Sequence, residues 1–146
     1  MFHKRFFLIY TTLMLCASQA TADNTQIPLF NASGNPVAYI DGRNDMTIYL
    51  WSGEPVAYLD LSKNMSVYGF NGKHIGWYIN GIIRDHDGNG SCANRESISM
   101  PGLEGIKGIQ KISPIRRIQE VEPIQPILTM SWSPIPCDLL LISGAS

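Results

Sequence analysis

The densest chemistry in the chain lies in Asp85-His86-Asp87-Gly88-Asn89-Gly90, followed by Glu96 at the twelfth place. Carboxylates at alternate positions, a glycine for the sharp turn and a closing glutamate are what a loop needs to gather oxygens around calcium. An EF-hand loop, however, is entered from a helix. Here Gly72, Gly76 and Gly81 punctuate the preceding segment, Tyr78-Ile79 favours a strand, and Cys92 takes the eighth place, where a branched apolar residue is usual. Imidazole chemistry is the second candidate. His74 and His86, with Asp85 and Asp87, supply the residue types for a shared zinc or an acid–base pair. His74, just after a turn, is expected to face solvent, and His86 to pack between units. No Ser/His/Asp or Cys/His framework stands out, and no glycine-rich loop precedes a helix to hold phosphate. The chain therefore reads as non-enzymatic, with no catalytic, cofactor or metal residues assigned and calcium at Asp85–Asn89 as the alternative.

Both candidates belong to a repeated unit. Ser33-Gly34-Asn35-Pro36-Val37-Ala38-Tyr39-Ile40-Asp41 returns as Ser52-Gly53-Glu54-Pro55-Val56-Ala57-Tyr58-Leu59-Asp60, then more loosely as Asn71-Gly72-Lys73-His74-Ile75-Gly76-Trp77-Tyr78. Aligned on Gly34, Gly53, Gly72 and Gly88 there are four copies, spaced 19, 19 and 16 residues apart. Each is a β-prone run, a two-residue turn ending in glycine, and a second β-prone run. Asn-Gly and Asp-Gly predict hairpins with type I′ turns, and Pro36 and Pro55 fall at strand starts, where a missing N–H is tolerated. One place in the second strand is always small: Ala38, Ala57, Gly76 and Cys92. Its neighbour is Tyr39, Tyr58, Trp77 and then Ala93. Alternation sends the two series to opposite faces, so the small residues converge where the hairpins crowd together. A single hairpin is marginal in water, and the four must share one core.

The spacing of Tyr49-x-Trp51-Ser52-Gly53-x-Pro55-Val56-Ala57-Tyr58, Tyr68-Gly69-Phe70-Asn71-Gly72-Lys73-His74-Ile75-Gly76-Trp77 and Arg84-Asp85-His86-Asp87-Gly88-Asn89 resembles the bacterial four-fold β-flower domain over about residues 27–92. The resemblance implies a mainly β fold of four hairpins about a pseudo-four-fold axis, in a family of uncharacterised function. It also implies an Ile/Pro-rich tail near a Trp-Ser pair, here Trp132-Ser133. The aromatics Tyr39, Tyr49, Trp51, Tyr58, Tyr68, Phe70, Trp77 and Tyr78 are either the core of a small β protein or a platform for stacking sugars. His74–Gly81 resembles choline- and cell-wall-binding repeats, which makes a glycan- or cell-wall-binding module the alternative function.

From Met100 to Met130 an apolar residue stands at every third position, with Pro101, Pro114, Pro123 and Pro126 between them. A period of three fits neither strand nor α-helix, and the prolines exclude a continuous helix. Polyproline II has three residues per turn and would line every apolar residue along one edge. Thirty-odd residues at about 3.1 Å each span roughly 90–100 Å, against a head about 30 Å across. The tail is thus expected to fold back, to associate with copies of itself, or to wrap a partner. A low-complexity linker is the alternative.

The start of the chain, Met1-Phe2-His3-Lys4-Arg5 and then an apolar run to Ala17, reads as a signal peptide over 1–20, cleaved after Ala20 or Ala22. The run is too short for a comfortable membrane span. Cleavage removes Lys4 and Arg5 from 11 basic residues and nothing from 12 acidic ones, so the mature net charge is 9 − 12 = −3. No basic stripe remains to track phosphates, which argues against nucleic acid as a partner. Cys92 and Cys137 are the two cysteines left; they are either disulfide partners in an oxidising compartment or separate buried thiols. The organisation expected is a signal peptide, a four-hairpin head over 27–93, a period-three tail over 100–130 and an apolar segment over 131–146. The function expected is that of an exported module, periplasmic or secreted, that is structural or contacts itself or a protein partner through the tail.

Overall fold

The structure, a computed structural model, describes residues 25–145; the expected signal peptide lies outside them. Eight strands form one closed antiparallel barrel in chain order. They pair as four hairpins: β1 (Gln26–Phe30) with β2 (Pro36–Asp41), β3 (Thr47–Leu50) with β4 (Pro55–Asp60), β5 (Ser66–Gly69) with β6 (His74–Ile79), and β7 (Ile82–Arg84) with β8 (Gly90–Ala93). Neighbouring hairpins pair with one another as well, over three or four positions each. The ring closes through a single pair, Phe30 with Ala93. The mainly β architecture of four repeated hairpins is as the sequence predicts.

The turn type differs from expectation. In each hairpin the glycine N–H closes the turn on the residue three back: Gly34 on Asn31, Gly53 on Leu50, Gly72 on Gly69 and Gly88 on Asp85. The four glycines have φ between 81° and 93°, while Ser33, Ser52, Asn71 and Asp87 before them are not at positive φ. The register also slips once in every hairpin, at Leu29/Phe30, Ile48/Tyr49, Val67/Tyr68 and Ile83/Arg84. A turn closed this way, with a left-handed glycine and a one-residue slip, is a type I turn with a glycine bulge rather than type I′. That is why serine and aspartate serve as well as asparagine before the glycine. Two successive positive-φ residues, as type I′ requires, occur at the opposite end of the barrel, at Asp45-Met46, Asn64-Met65 and Asn80-Gly81.

Alternation divides each strand between two surroundings. Leu29, Ala38, Ile40, Ile48, Ala57, Leu59, Val67, Ile83 and Cys92 are buried in one interior cluster. The small residues make close approach possible: a Cβ on Gly76 would collide with the Arg84 carbonyl of the next hairpin, and one on Gly69 with Gly144. A short helix, α1 (Cys137–Ile142), enters this cluster through Cys137, Leu140 and Leu141. Cys137 forms a disulfide with Cys92 of β8, closing a 45-residue separation.

The tail from 100 to 132 is a strap without helix or strand that passes the four turns in order. The N–H groups of Gly102, Lys111, Glu120 and Thr129 donate to the carbonyls of Gly34, Gly53, Gly72 and Gly88. A Cβ on any of those turn glycines would strike the carbonyl of Met100, Ile109, Ile118 or Ile127 respectively. The contacts recur every nine residues, which is three polyproline turns and about 28 Å. That length is a quarter circle at a radius of roughly 18 Å, just outside a head about 30 Å across. Of the dispositions expected for the tail, the structure shows it folded back on its own head. The path available to the tail is the circumference of the head rather than its diameter, and that path accommodates its length.

Two outcomes follow for stability. Gly53→Ala is expected to lose about 2–4 kcal/mol in urea unfolding, from both the positive φ and the strap collision, whereas Gly105→Ala, with open space around its Cα, stays within about 0.5 kcal/mol. Replacing Cys92 and Cys137 by alanine is expected to lower stability by about 2–4 kcal/mol; a double variant with an unchanged urea midpoint would show the crosslink to be idle.

Candidate functional site

The outward faces of the strands carry the aromatics, and a barrel this small cannot bury its own exterior. The rings pair across the grooves between hairpins: Tyr39 stacks on Tyr49 with centroids 5.5 Å apart, and Tyr58 on Tyr68 at 6.3 Å. The strap then covers them. Lys107 lies 4.8 Å from the Tyr39 ring and 4.9 Å from that of Trp51, and Arg116 lies 3.8 Å from Tyr58. Each cation sits two places before a residue whose carbonyl abuts a turn glycine, so the same nine-residue rhythm serves both contacts. Tyr39, Tyr49, Tyr58, Tyr68, Phe70 and Trp77 are all buried, and Trp51 and Tyr78 are half-buried. A sugar-stacking platform needs exposed rings, and these rings are covered.

The strap's polar residues face inward. Gln110 donates to Asp41 at 2.8 Å, and Gln119 donates to Asp60 at 2.9 Å and to the Tyr58 hydroxyl at 3.0 Å. Burial pushes the Asp41 carboxyl up, but hydrogen bonds from Gln110, Gln26 and the Arg43 N–H outweigh it, leaving Asp41 below the usual carboxylate range. Asp60 is lowered by Ser62 and Gln119. Glu120 accepts from the His74 N–H at 3.1 Å, and Glu122 accepts from the Trp77 indole at 3.1 Å.

His74 is the main correction to the sequence reading. It is 5 % exposed, not solvent-facing, because Tyr68 and Trp77 enclose its ring. Its Nδ1 lies 2.9 Å from His86 Nε2, and its Nε2 lies 3.1 Å from Ser66 Oγ. One hydroxyl and two imidazoles thus form a continuous hydrogen-bonded line from the interior to His86, which is exposed. The spacing is that of a nucleophile, a base and an orienting group. Ser66, however, is 0 % exposed, so no substrate carbonyl can approach it. The line is internal packing around a neutral imidazole: burial first, and the neighbouring His86 second, push His74 down to about 4. Sequence reasoning placed the two histidines in adjacent hairpins but had no sign of Ser66, which only the Ser66–Trp77 register sets beside β6.

The calcium-loop motif resolves differently. Asp85 Oδ1 accepts from the N–H groups of Asp87 and Asn89, at 3.0 and 2.9 Å, as Asn31 does from Ser33 and Asn35 in the first turn. The carboxylate is occupied in shaping the fourth hairpin, and Glu96 lies beyond β8 in a 3-10 turn, Arg95–Ser97. Among the described residues no three His, Cys, Asp or Glu side chains gather as a cation site.

The strap's other edge is the unexpected surface. Its apolar residues face away from the head: Leu103 is 94 % exposed, Ile106 99 %, Ile115 91 % and Ile124 96 %. The sequence profile described as 4-fold beta flower protein matches residues 27–141. That span takes in the barrel, the strap and nearly all of α1. No curated protein and no solved structure matches the chain.

The histidine line makes stability depend on pH. Folded His74 resists protonation down to about pH 4, while in the unfolded chain it takes up its proton near 6.5. The unfolded state therefore binds more protons between those values. Stability is fully present above pH 6.5 and is lost as pH falls towards 4, by up to about 3 kcal/mol. Urea midpoints measured from pH 7 to pH 4 should show that slope, and His74→Gln should flatten it; an equal slope in the variant would place the titration elsewhere.

Proposed function

The chain belongs to the 4-fold beta flower family, and on that footing we propose that it is an exported, non-catalytic interaction module whose contact surface is the apolar edge of its own strap. One observation carries the reading: the eleven apolar residues at every third position from Met100 to Met130 are each 83–100 % exposed. A strap that only needed to close the barrel would turn this edge inward, where its burial would contribute about 1.5–3 kcal/mol per side chain. Instead the polar edges face the head. At roughly 100 Å² of apolar surface each, the residues present on the order of 1,000 Å² along the strap's path past the four turns, a total above the few hundred that a monomer usually exposes in one patch.

The partner that fits is a second copy of the chain. A standard interface takes about 800 Å² from each side, which this edge alone supplies, and closed pairing of identical surfaces is the commonest assembly. Two of the strap's cations, Lys107 and Arg116, lie over aromatic rings and Lys111 pairs with Glu54, and the expected mature charge of −3 gives no attraction to an acidic surface. Among the described residues no helix is long and apolar enough to cross a membrane. Export is supported by the basic, then apolar start of the sequence and by the Cys92–Cys137 disulfide, which persists in oxidising compartments.

Light scattering and small-angle scattering on the purified chain test this reading. The expected result is a dimer at micromolar concentration that Ile106→Asp, Ile115→Asp and Ile124→Asp together convert to a monomer with unchanged thermal stability. A wild-type monomer across the accessible concentration range would overturn self-association.

A further inference from the structure

The strap crosses three of the four grooves between hairpins. It starts at the first turn, reaches the fourth, and leaves the groove between the fourth and first hairpins uncrossed. After Thr129 it dives instead to β8, where Gly90 donates to Ser131 and Ser133 donates back to Gly90. The uncrossed groove holds a cavity of about 550 Å³, within the range of small-molecule sites. Three departures from the repeat fall at this seam, and two of them, Ala32 and Arg84, line the cavity. Ala93 stands where the other hairpins have Tyr39, Tyr58 and Trp77. Ala32 stands where they have Trp51, Phe70 and His86. Arg84 stands where they have Phe30, Tyr49 and Tyr68. Two large rings are missing at the seam, and a cation replaces a third next to it.

Arg84 is the chemical feature of this cavity. Its Nη1 donates to the carbonyls of Gly88 and Thr129, which pins the side chain at the cavity wall. Its Nε is buried with no acceptor. Among the described residues no carboxylate lies within ion-pairing distance of it. A half-buried guanidinium at a cavity wall with no counter-charge favours a carboxylate. The rest of the wall is mixed: Ile82, Ile98 and Trp132 supply apolar surface among the hydroxyls of Ser97, Ser99 and Ser131. We propose that the seam between the fourth and first hairpins is a binding site for a carboxylate carrying an apolar body, held by Arg84 and by Ile82, Ile98 and Trp132. Such a group comes either from a free acid or from the C-terminus of a peptide. The site shares Met100 and Met130 with the two ends of the strap's outer edge but needs no second copy of the chain, so it stands whether or not the chain self-associates.

Calorimetric titration of the full chain with 4-phenylbutyrate, 4-phenylbutanol, the peptide acid acetyl-Ala-Ala-Phe and its amide tests the proposal. The expected result is binding of at least one acid, tenfold or more tighter than its neutral counterpart. Tighter binding of phenylbutyrate assigns the site to free acids, and of the peptide acid to chain termini. Arg84→Gln should abolish the preference for the acid. Because that change also frees the strap at Gly88, a second variant, Ala32→Trp, restores the ring found in the other hairpins and leaves Arg84 in place; it should block binding with an unchanged thermal midpoint. No heat from any acid at millimolar concentration, equal binding of acids and neutral counterparts, or full binding by a correctly folded Ala32→Trp protein would overturn it.

Discussion

The contact between a turn glycine and a strap carbonyl is the constraint from which the architecture follows. At Gly34, Gly53, Gly72 and Gly88 the backbone is left-handed, and the space where a Cβ would project is filled by a carbonyl from the tail. Each glycine is therefore required twice, once by the bulged turn and once by the approach of a second chain segment. The paired hydrogen bond from the strap N–H to the same glycine's carbonyl fixes the register. Once four such points are set at the corners of the barrel, the strap has one spacing available, and nine residues of three-fold helix supply it.

That spacing also separates what the strap does on its two sides. A three-residue period gives three edges, and the head uses only the polar ones, through Gln110, Gln119, Glu120, Glu122, Lys107 and Arg116. The aromatic exterior of the barrel is well suited to this, since cations and amides can lie on ring faces and meet phenolic hydroxyls. Inside, the small-residue series leaves room for α1, which the disulfide ties to β8. The barrel is thus closed by three layers in which each face has an assigned neighbour, except the strap's apolar edge and the seam between the fourth and first hairpins.

The pseudo-symmetry is imperfect, and the imperfections gather at the last hairpins. His74 stands where Pro36 and Pro55 stand in earlier units, and it becomes the centre of a buried line from Ser66 to His86. The fourth hairpin is three residues shorter in spacing, 16 against 19, and it supplies Arg84 and Ala93 where rings are expected. A closed ring built from repeats has one seam where chain start meets chain end, and here a single residue pair closes it.

The repeat, the turn glycines, the alternation of small and aromatic residues and the three-residue rhythm were all legible in the chain, because each depends on local backbone preferences that residue type expresses directly. The reading of Asp87-Gly88 as the fourth hairpin turn was legible for the same reason: it aligns with Ser33-Gly34, Ser52-Gly53 and Asn71-Gly72. What the residues alone did not decide was where each periodic face points. Alternation says that Ala38 and Tyr39 diverge, and period three says that Ile106 and Ile109 share an edge, but neither says which side is solvent. That choice depends on closure of the barrel, on the strap travelling a circumference, and on registers such as Ser66 with Trp77 that bring distant side chains together. These are long-range contacts, whose cost in chain entropy is repaid only when the whole ring is formed, so no short window of sequence contains them.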